Sequence, residues 1–146
     1  MSVERLGEDP AELPKPRPEP TPTTQPYWDG LAADRILVPR CTECGAWIFY
    51  PRARCTTCLS DALVWTEISG GAHLRTWSVT AQPTVPMFAD EMPQIIAIVE
   101  TTEGIRMTTT IVTADPASLR SDMPVAPVFD HGADGRTLLR FRPVED

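Results

Sequence analysis

No cysteine lies outside the stretch "CTECGAWIFYPRARCTTC", no lysine follows Lys15, and the 146 residues hold only two histidines, His73 and His131. Each scarcity excludes something. With every thiol inside residues 41–58, none is left to act as a separate nucleophile or to staple distant segments. The histidines show no readable partner: His73 alternates with Arg75 along an expected strand, and His131 lies in "DHGADG", which reads as a polar turn. No phosphate loop, nucleophile elbow or dinucleotide fingerprint is present. Adjacent acids such as Asp90 and Glu91 read as solvated loop. The chain is therefore expected to be non-catalytic by itself. No run approaches the roughly 20 apolar residues of a membrane helix, so a soluble protein is expected.

Basic residues are also in deficit. Lys and Arg number 13 against 20 Asp and Glu, giving a net charge of −7. From Ala72 onward six Arg face ten acids, which suits a phosphate backbone poorly. The N-terminus carries charges where a secretion signal needs an apolar run, so the reducing cytoplasm is the expected compartment. There, paired cysteines serve more often as metal ligands than as disulfides.

Three segments follow in order. Seven of the sixteen prolines fall in residues 1–26, among Glu, Lys, Arg and Thr with few large apolar side chains. This stretch is expected to be a disordered or polyproline-like leader, or a linker. In "YWDGLAADRILVPRC", Trp28, Leu31, Arg35 and Ile36 recur at helical spacing before Pro39, which predicts a short amphipathic helix. Tyr27 and Trp28 can pack on the chain's own core or cover a partner. From Leu63 onward the runs rich in Val, Ile, Thr and aromatics predict strands. The first, "LVWTEI", can finish the preceding unit, and five remain. A tight hairpin at Glu103-Gly104 and a helical turn at "DPASLR" give the order three strands, short helix, two strands. That is the order of an OB-fold, a small partly open barrel. The expected boundaries are 1–26 for the leader, 27–66 for the helix and metal unit, and 67–146 for the barrel.

The cysteines form two C-x-x-C pairs, Cys41 with Cys44 and Cys55 with Cys58, ten residues apart. Two such turns complete a tetrahedral shell for zinc, and the spacing allows "AWIFY" to begin a hairpin between them. Four protein ligands leave no open position, so the zinc is expected to be structural. Gly45 suits the backbone of such a turn, and Arg40, Arg52 and Arg54 flank a site whose formal charge is negative. A redox dithiol or disulfides are the alternatives, but the βαβ context of a redox C-x-x-C is missing. The long loop 81–93, "AQPTVPMFADEMP", carries Met87, Phe88 and Met92 between prolines. They form an apolar docking surface for a protein or acyl chain, or fold back over the barrel mouth.

Taken together, "YWDGLAADRILVPRCTECGAWIFYPRARCTTC", "WTEISGGAHLRTWSVT", "PQIIAIVETTEGIRM", "DMPVAPVF" and "LLRFRP" resemble the small acyl-CoA-associated proteins long catalogued as a domain of unknown function. The resemblance covers nearly everything from Tyr27 to Pro143. It departs at "CTTC", where the family often has C-P-x-C, and at Ser121, where Gly usually precedes "MPV". It implies a mainly β chain, with a short N-terminal helix and rubredoxin-like zinc ribbon followed by a five-stranded OB-fold. The zinc assignment carries over to Cys41, Cys44, Cys55 and Cys58. It also implies an accessory subunit in a hetero-oligomer with a thiolase-fold enzyme: a thiolase, an acyltransferase, or a lipid-transfer-protein-like aldolase that cleaves a β-hydroxyacyl-CoA during steroid side-chain degradation. A hot-dog-fold enoyl-CoA hydratase is a further expected associate. On this reading the acyl-CoA is met through the partner, with Tyr27, Trp28, Met87, Phe88 and Met92 at an interface and Arg52 and Arg54 as CoA contacts. The reading from a different class is a single-stranded nucleic-acid binder, since OB-folds commonly serve that role.

Overall fold

The structure is a computed structural model that describes residues 13–113 and 115–144. The expected disorder of residues 1–12 lies outside the described residues. Residues 13–20 form no helix or strand, but they are not free of the fold. Lys15 Nζ lies 3.0 Å from both Asp90 and Glu91, and Arg17 donates to the Asp134 carbonyl at 2.7 Å.

A turn at Thr21–Thr24 then opens helix α1 (Gln25–Ala32). Thr21 and Thr24 exchange backbone-to-hydroxyl bonds, and Pro26 sits in the first turn, where its missing N–H costs nothing. Tyr27, Gly30 and Leu31 form the buried stripe. The helix ends sooner than its sequence pattern suggests. Asp34 adopts φ 59°, its N–H bonds to the Leu31 carbonyl, and the Arg35 N–H reaches back to the Gly30 carbonyl. This paired closure is a Schellman motif with aspartate in the left-handed position that glycine usually takes. Arg35 and Ile36 consequently leave the helix, and Ile36 starts a strand.

Strand β1 (Ile36–Cys41) pairs antiparallel with β2 (Leu63–Ile68), from Ile36 opposite Ile68 to Cys41 opposite Leu63. Pro39 is tolerated because this sheet has only two strands. The metal-binding segment is the long excursion between them.

Five further strands form the barrel: β3 (Ala72–Thr80), β4 (Gln94–Thr101), β5 (Arg106–Thr110), β6 (Pro124–His131) and β7 (Thr137–Pro143). Their order is β5-β4-β3-β6-β7. A parallel bridge from Ile111 to Phe141 brings the outer strands together, reinforced by Thr109 Oγ1 donating to the Leu139 carbonyl at 3.0 Å. The result is the nearly closed five-stranded barrel expected from the order of elements. The β4–β5 hairpin turns at Gly104, φ 89°, and Pro116–Ser118 forms the short 3-10 turn before β6.

The barrel and the strands that root the metal unit share one core. Leu31, Ile36, Val38 and Ile68 pack in the same cluster as Leu74, Val99, Val125 and Phe141. Gly70, φ 83°, carries the chain from β2 into the barrel; a Cβ there would lie 2.9 Å from both Ile36 Cδ1 and Pro127 Cγ.

Candidate metal centre and adjoining cleft

The two C-x-x-C turns are near copies of one another. Cys41 N–H bonds to the Ala46 carbonyl and Gly45 N–H to the Cys41 carbonyl; Cys55 N–H bonds to the Ser60 carbonyl and Leu59 N–H to the Cys55 carbonyl. The residue after each pair takes a left-handed backbone, Gly45 at φ 77° and Leu59 at φ 65°. Each turn thereby curls its backbone N–H groups toward a sulfur. Cys55 Sγ accepts from Thr57 N–H at 3.3 Å and from Cys58 N–H at 3.5 Å.

All four sulfurs lie within 4.8 Å of one another, with Cys41 to Cys58 at 3.6 Å and Cys44 to Cys55 at 3.5 Å. Zinc–sulfur bonds of about 2.3 Å in a tetrahedron require sulfur separations of roughly 3.8 Å. The backbone N–H groups of Cys58 and Thr57 draw the Cys55 thiol down to about 6, and those of Cys44 and Glu43 lower Cys41. Cys44 and Cys58 also receive backbone donors, from Ala46 and Ser60, but burial and the crowding sulfurs push them upward, Cys58 to about 12. Four adjacent thiolates cannot coexist without positive charge among them. The donor set fits zinc, which would let all four ionise and, with no position left for water, serve structure.

Around the centre, Arg40 lies over the Trp47 ring at 4.8 Å and its Nε donates to the Gly45 carbonyl at 3.3 Å. Arg54 donates to the Leu59 carbonyl at 3.2 Å, which ties it to the second turn. Arg52 is exposed. Neither Arg52 nor Arg54 lines the cleft on the open face of the barrel.

That cleft, about 1520 Å³, runs along β4, β5 and β7 toward the aromatic residues of the metal unit. It brings together Tyr27, Trp28 and Phe88 from distant parts of the sequence, but not Met87 or Met92. Tyr27, one of the residues expected at an interface, reaches the cleft only at its edge. At 5% exposure it belongs to the chain's own core, in edge contact with Trp28, Phe49 and Tyr50. Burial raises its hydroxyl pKa above the usual tyrosine value and keeps it neutral. Trp28 is half-buried and donates through Nε1 to the Tyr50 hydroxyl at 2.9 Å. Met87, Phe88 and Met92 are half-buried in the loop, where Pro86–Glu91 forms a 3-10 helix.

Phe49 and Tyr50 were legible only as the end of an expected hairpin strand between the cysteine pairs; the structure gives them bends instead, and their edge contacts with Tyr27 of α1 depend on a fold that no spacing rule reveals. His131 likewise has partners after all. It ends β6, its Nε2 lies 2.6 Å from Asp34 Oδ1, and its Nδ1 lies 2.9 Å from Thr137 Oγ1. Asp34 is 97 residues away in sequence, which is why "DHGADG" alone read as a solvated turn.

A metal ribbon rooted in the core of an OB barrel defines a two-part class of small β proteins, and the similarities to known proteins fall along the same division. Residues 28–64 match the family model described as the ChsH2 rubredoxin-like zinc ribbon domain, and residues 65–130 match the ChsH2 C-terminal OB-fold domain. The chain is 36% identical over 108 residues to a DUF35 domain-containing scaffold protein of Methanothermobacter thermautotrophicus, spanning 70% of this chain and 80% of that one. It belongs to the ChsH2, or DUF35, family. It is also 29% identical over 141 residues to a probable enoyl-CoA hydratase alpha subunit of Thermomonospora curvata, 97% of this chain but only 43% of that protein's length. Among solved structures, an Ltp2-ChsH2(DUF35) aldolase chain matches with a TM-score of 0.77 and 29% identity, over 87% of this chain and 98% of that one. A DUF35-family protein of unknown function from Sulfolobus solfataricus, at TM-score 0.62 and 15% identity, shares the fold.

No described helix is long and apolar enough to cross a membrane.

Proposed function

We propose that this chain is a non-catalytic accessory subunit that binds and stabilises a thiolase-fold acyl-CoA enzyme in the cytoplasm. The reaction assigned to the complex is retro-aldol cleavage of a β-hydroxyacyl-CoA in steroid side-chain degradation. The observation that carries this reading is the similarity, over 98% of its length, to the chain of a structure described as an Ltp2-ChsH2(DUF35) aldolase. The likeness to a hydratase alpha subunit across 97% of this chain supports an additional association with an enoyl-CoA hydratase. Such a pairing is chemically coherent: hydration of an enoyl-CoA supplies the β-hydroxyacyl-CoA that an aldolase cleaves.

In this reading zinc holds the ribbon in shape, and the partner is met through Trp28 and the 81–93 loop with Met87, Phe88 and Met92. Arg52 and Arg54, both exposed, are the assigned cations for CoA phosphates reaching the interface. The test is affinity isolation of the tagged chain from its native cells, with mass spectrometry of proteins recovered in stoichiometric amount. A thiolase-fold protein is expected, and Phe88→Asp should reduce its recovery at least tenfold while zinc content stays at one ion per chain. Recovery of nucleic-acid machinery, or of no stoichiometric partner, would overturn the assignment. Normal recovery with Phe88→Asp would remove the loop from the interface.

A further inference from the structure

The open face of the barrel is spanned by the chain's own proline-rich segment, which forms one wall of the cleft above it. Prolines at 14, 16, 18 and 20 alternate with Lys15, Arg17 and Glu19. Each X-Pro step disfavours helix and keeps the preceding residue extended, so the segment has little conformational freedom to lose when it meets a surface. Its three charges meet three complementary groups. Lys15, the only lysine in the chain, pairs with Asp90 and Glu91 and lies 5.8 Å from the centre of the Phe88 ring. Arg17 donates to the Asp134 carbonyl, and Glu19 lies 3.4 Å from Arg136. Asp90 and Glu91 belong to the β3–β4 loop, whereas Asp134 and Arg136 belong to the β6–β7 loop. The segment therefore bridges the two loops that flank the face of β4 and β5, across the 1520 Å³ cleft. These are the loops and the face with which OB-folds take extended ligands.

We propose that this face is a docking site for an extended, proline-punctuated peptide with cations two residues apart, and that residues 14–19 are its occupant in cis. The pattern it reads is Lys-Pro-Arg-Pro-Glu. The acidic first loop selects the leading cation, a backbone carbonyl takes the second, and Arg136 takes the closing carboxylate. Because two of the pins are surface ion pairs and the third is one hydrogen bond to a backbone carbonyl, each is individually weak, and the ion pairs are sensitive to salt. The segment is held well enough to span the face and loosely enough to leave it. This inference rests on the segment's own contacts and not on the partner assigned above, although both readings use the 81–93 loop.

The single lysine makes the test direct. In uniformly 15N-labelled full chain, with Lys15 identified by selective [15N]lysine labelling, its amide heteronuclear NOE in dilute buffer should match that of barrel amides. It should fall to free-chain values in Asp90→Arg, and in wild type at about 0.5 M NaCl, where the screening length is roughly 4 Å. A free-chain NOE in wild type at low salt, or no change in Asp90→Arg, would overturn the proposal. Loss of the ordered signal on dilution would place the segment on a second copy and overturn the cis arrangement. A second measurement uses the Lys15→Gln/Arg17→Gln chain, whose own segment is released. A synthetic peptide of residues 13–20 at about 5 mM, on the scale of the effective concentration of a short tether, should shift the Ile96 and Leu138 amides. Absence of those shifts would show that the face is not a peptide site.

Discussion

The ribbon tip and the barrel reach order by opposite routes. Cys41, at the end of β1, forms a small cluster with Ile48 and Cys55, edged by Ala46 and Leu63, and of the residues between β1 and β2 only Pro51 is buried besides. The barrel side builds a continuous core from all five strands together with Leu31, Ile36, Val38 and Ile68, and Phe141 is fully enclosed at 0% exposure. Ordering a residue's backbone costs roughly 1–2 kcal/mol wherever it occurs. The barrel offsets that with apolar area. The tip has too little and depends on four sulfurs around a cation. Its roots, however, lie in the barrel's core, so the two strategies meet at β1 and β2.

Removing the metal ligand breaks this comparison most directly. Cys55→Ser is expected to abolish tight zinc retention and to forfeit most of the roughly 10–16 kcal/mol that such sites contribute to local folding. Hydrogen exchange should then show residues 42–62 unprotected, while Val99 and Phe141 keep their protection because their packing does not depend on the tip. Chelation of the wild type should reproduce the pattern. If barrel amides lose protection along with the tip, the molecule is one cooperative unit held by zinc. If Cys55→Ser remains metal-free, folded and unchanged in melting curve, the tip does not need the ion.

The joint is the next place to press. At Gly70 any side chain meets a left-handed backbone and two atoms at 2.9 Å, one from β1 and one from β6. Gly70→Ala should cost about 2–4 kcal/mol, combining the backbone penalty with overpacking. Denaturant melts monitored separately by zinc release and by barrel tryptophan Trp77 should both shift. A shift in one alone would mean that the ribbon and barrel are only loosely joined.

What could be read in advance follows the same division. The metal centre was legible because cysteine spacing encodes it locally, and Gly45 marked its first turn. The barrel order was legible because alternation, the Glu103-Gly104 hairpin and the "DPASLR" turn are also local signals. The end of α1 was not: Asp34 stands where glycine would have announced the stop, so Arg35 and Ile36 continued an apparent helical pattern. The placement of residues 13–20 was equally hidden, because Lys15 and Arg17 find their partners 75 and 117 residues away. Burial of Tyr27 belongs with these, since it depends on Phe49 and Tyr50 coming around from the ribbon.

The smallest expected effect lies within the ribbon, where its two turns share one backbone path but differ in the residue that follows each cysteine pair. Gly45 has no atom within 4 Å of where a Cβ would stand, so glycine is needed there for its φ of 77° and not for space. Leu59 adopts nearly the same conformation with a β-carbon, and its side chain is 70% exposed, so little burial offsets the strain. A left-handed backbone costs a non-glycine residue roughly 1–2 kcal/mol, and glycine's greater unfolded-state freedom returns about 0.5–1. Leu59→Gly should therefore stabilise the zinc-loaded ribbon by somewhat under about 1 kcal/mol, and Gly45→Leu should destabilise it by a similar amount. Zinc competition against a chromophoric chelator reads both changes without requiring the barrel to unfold. Opposite signs would show that the two turns answer to one backbone rule. A loss on Leu59→Gly would mean that the exposed leucine contributes contacts of its own, and the symmetry of the turns would stop at the backbone.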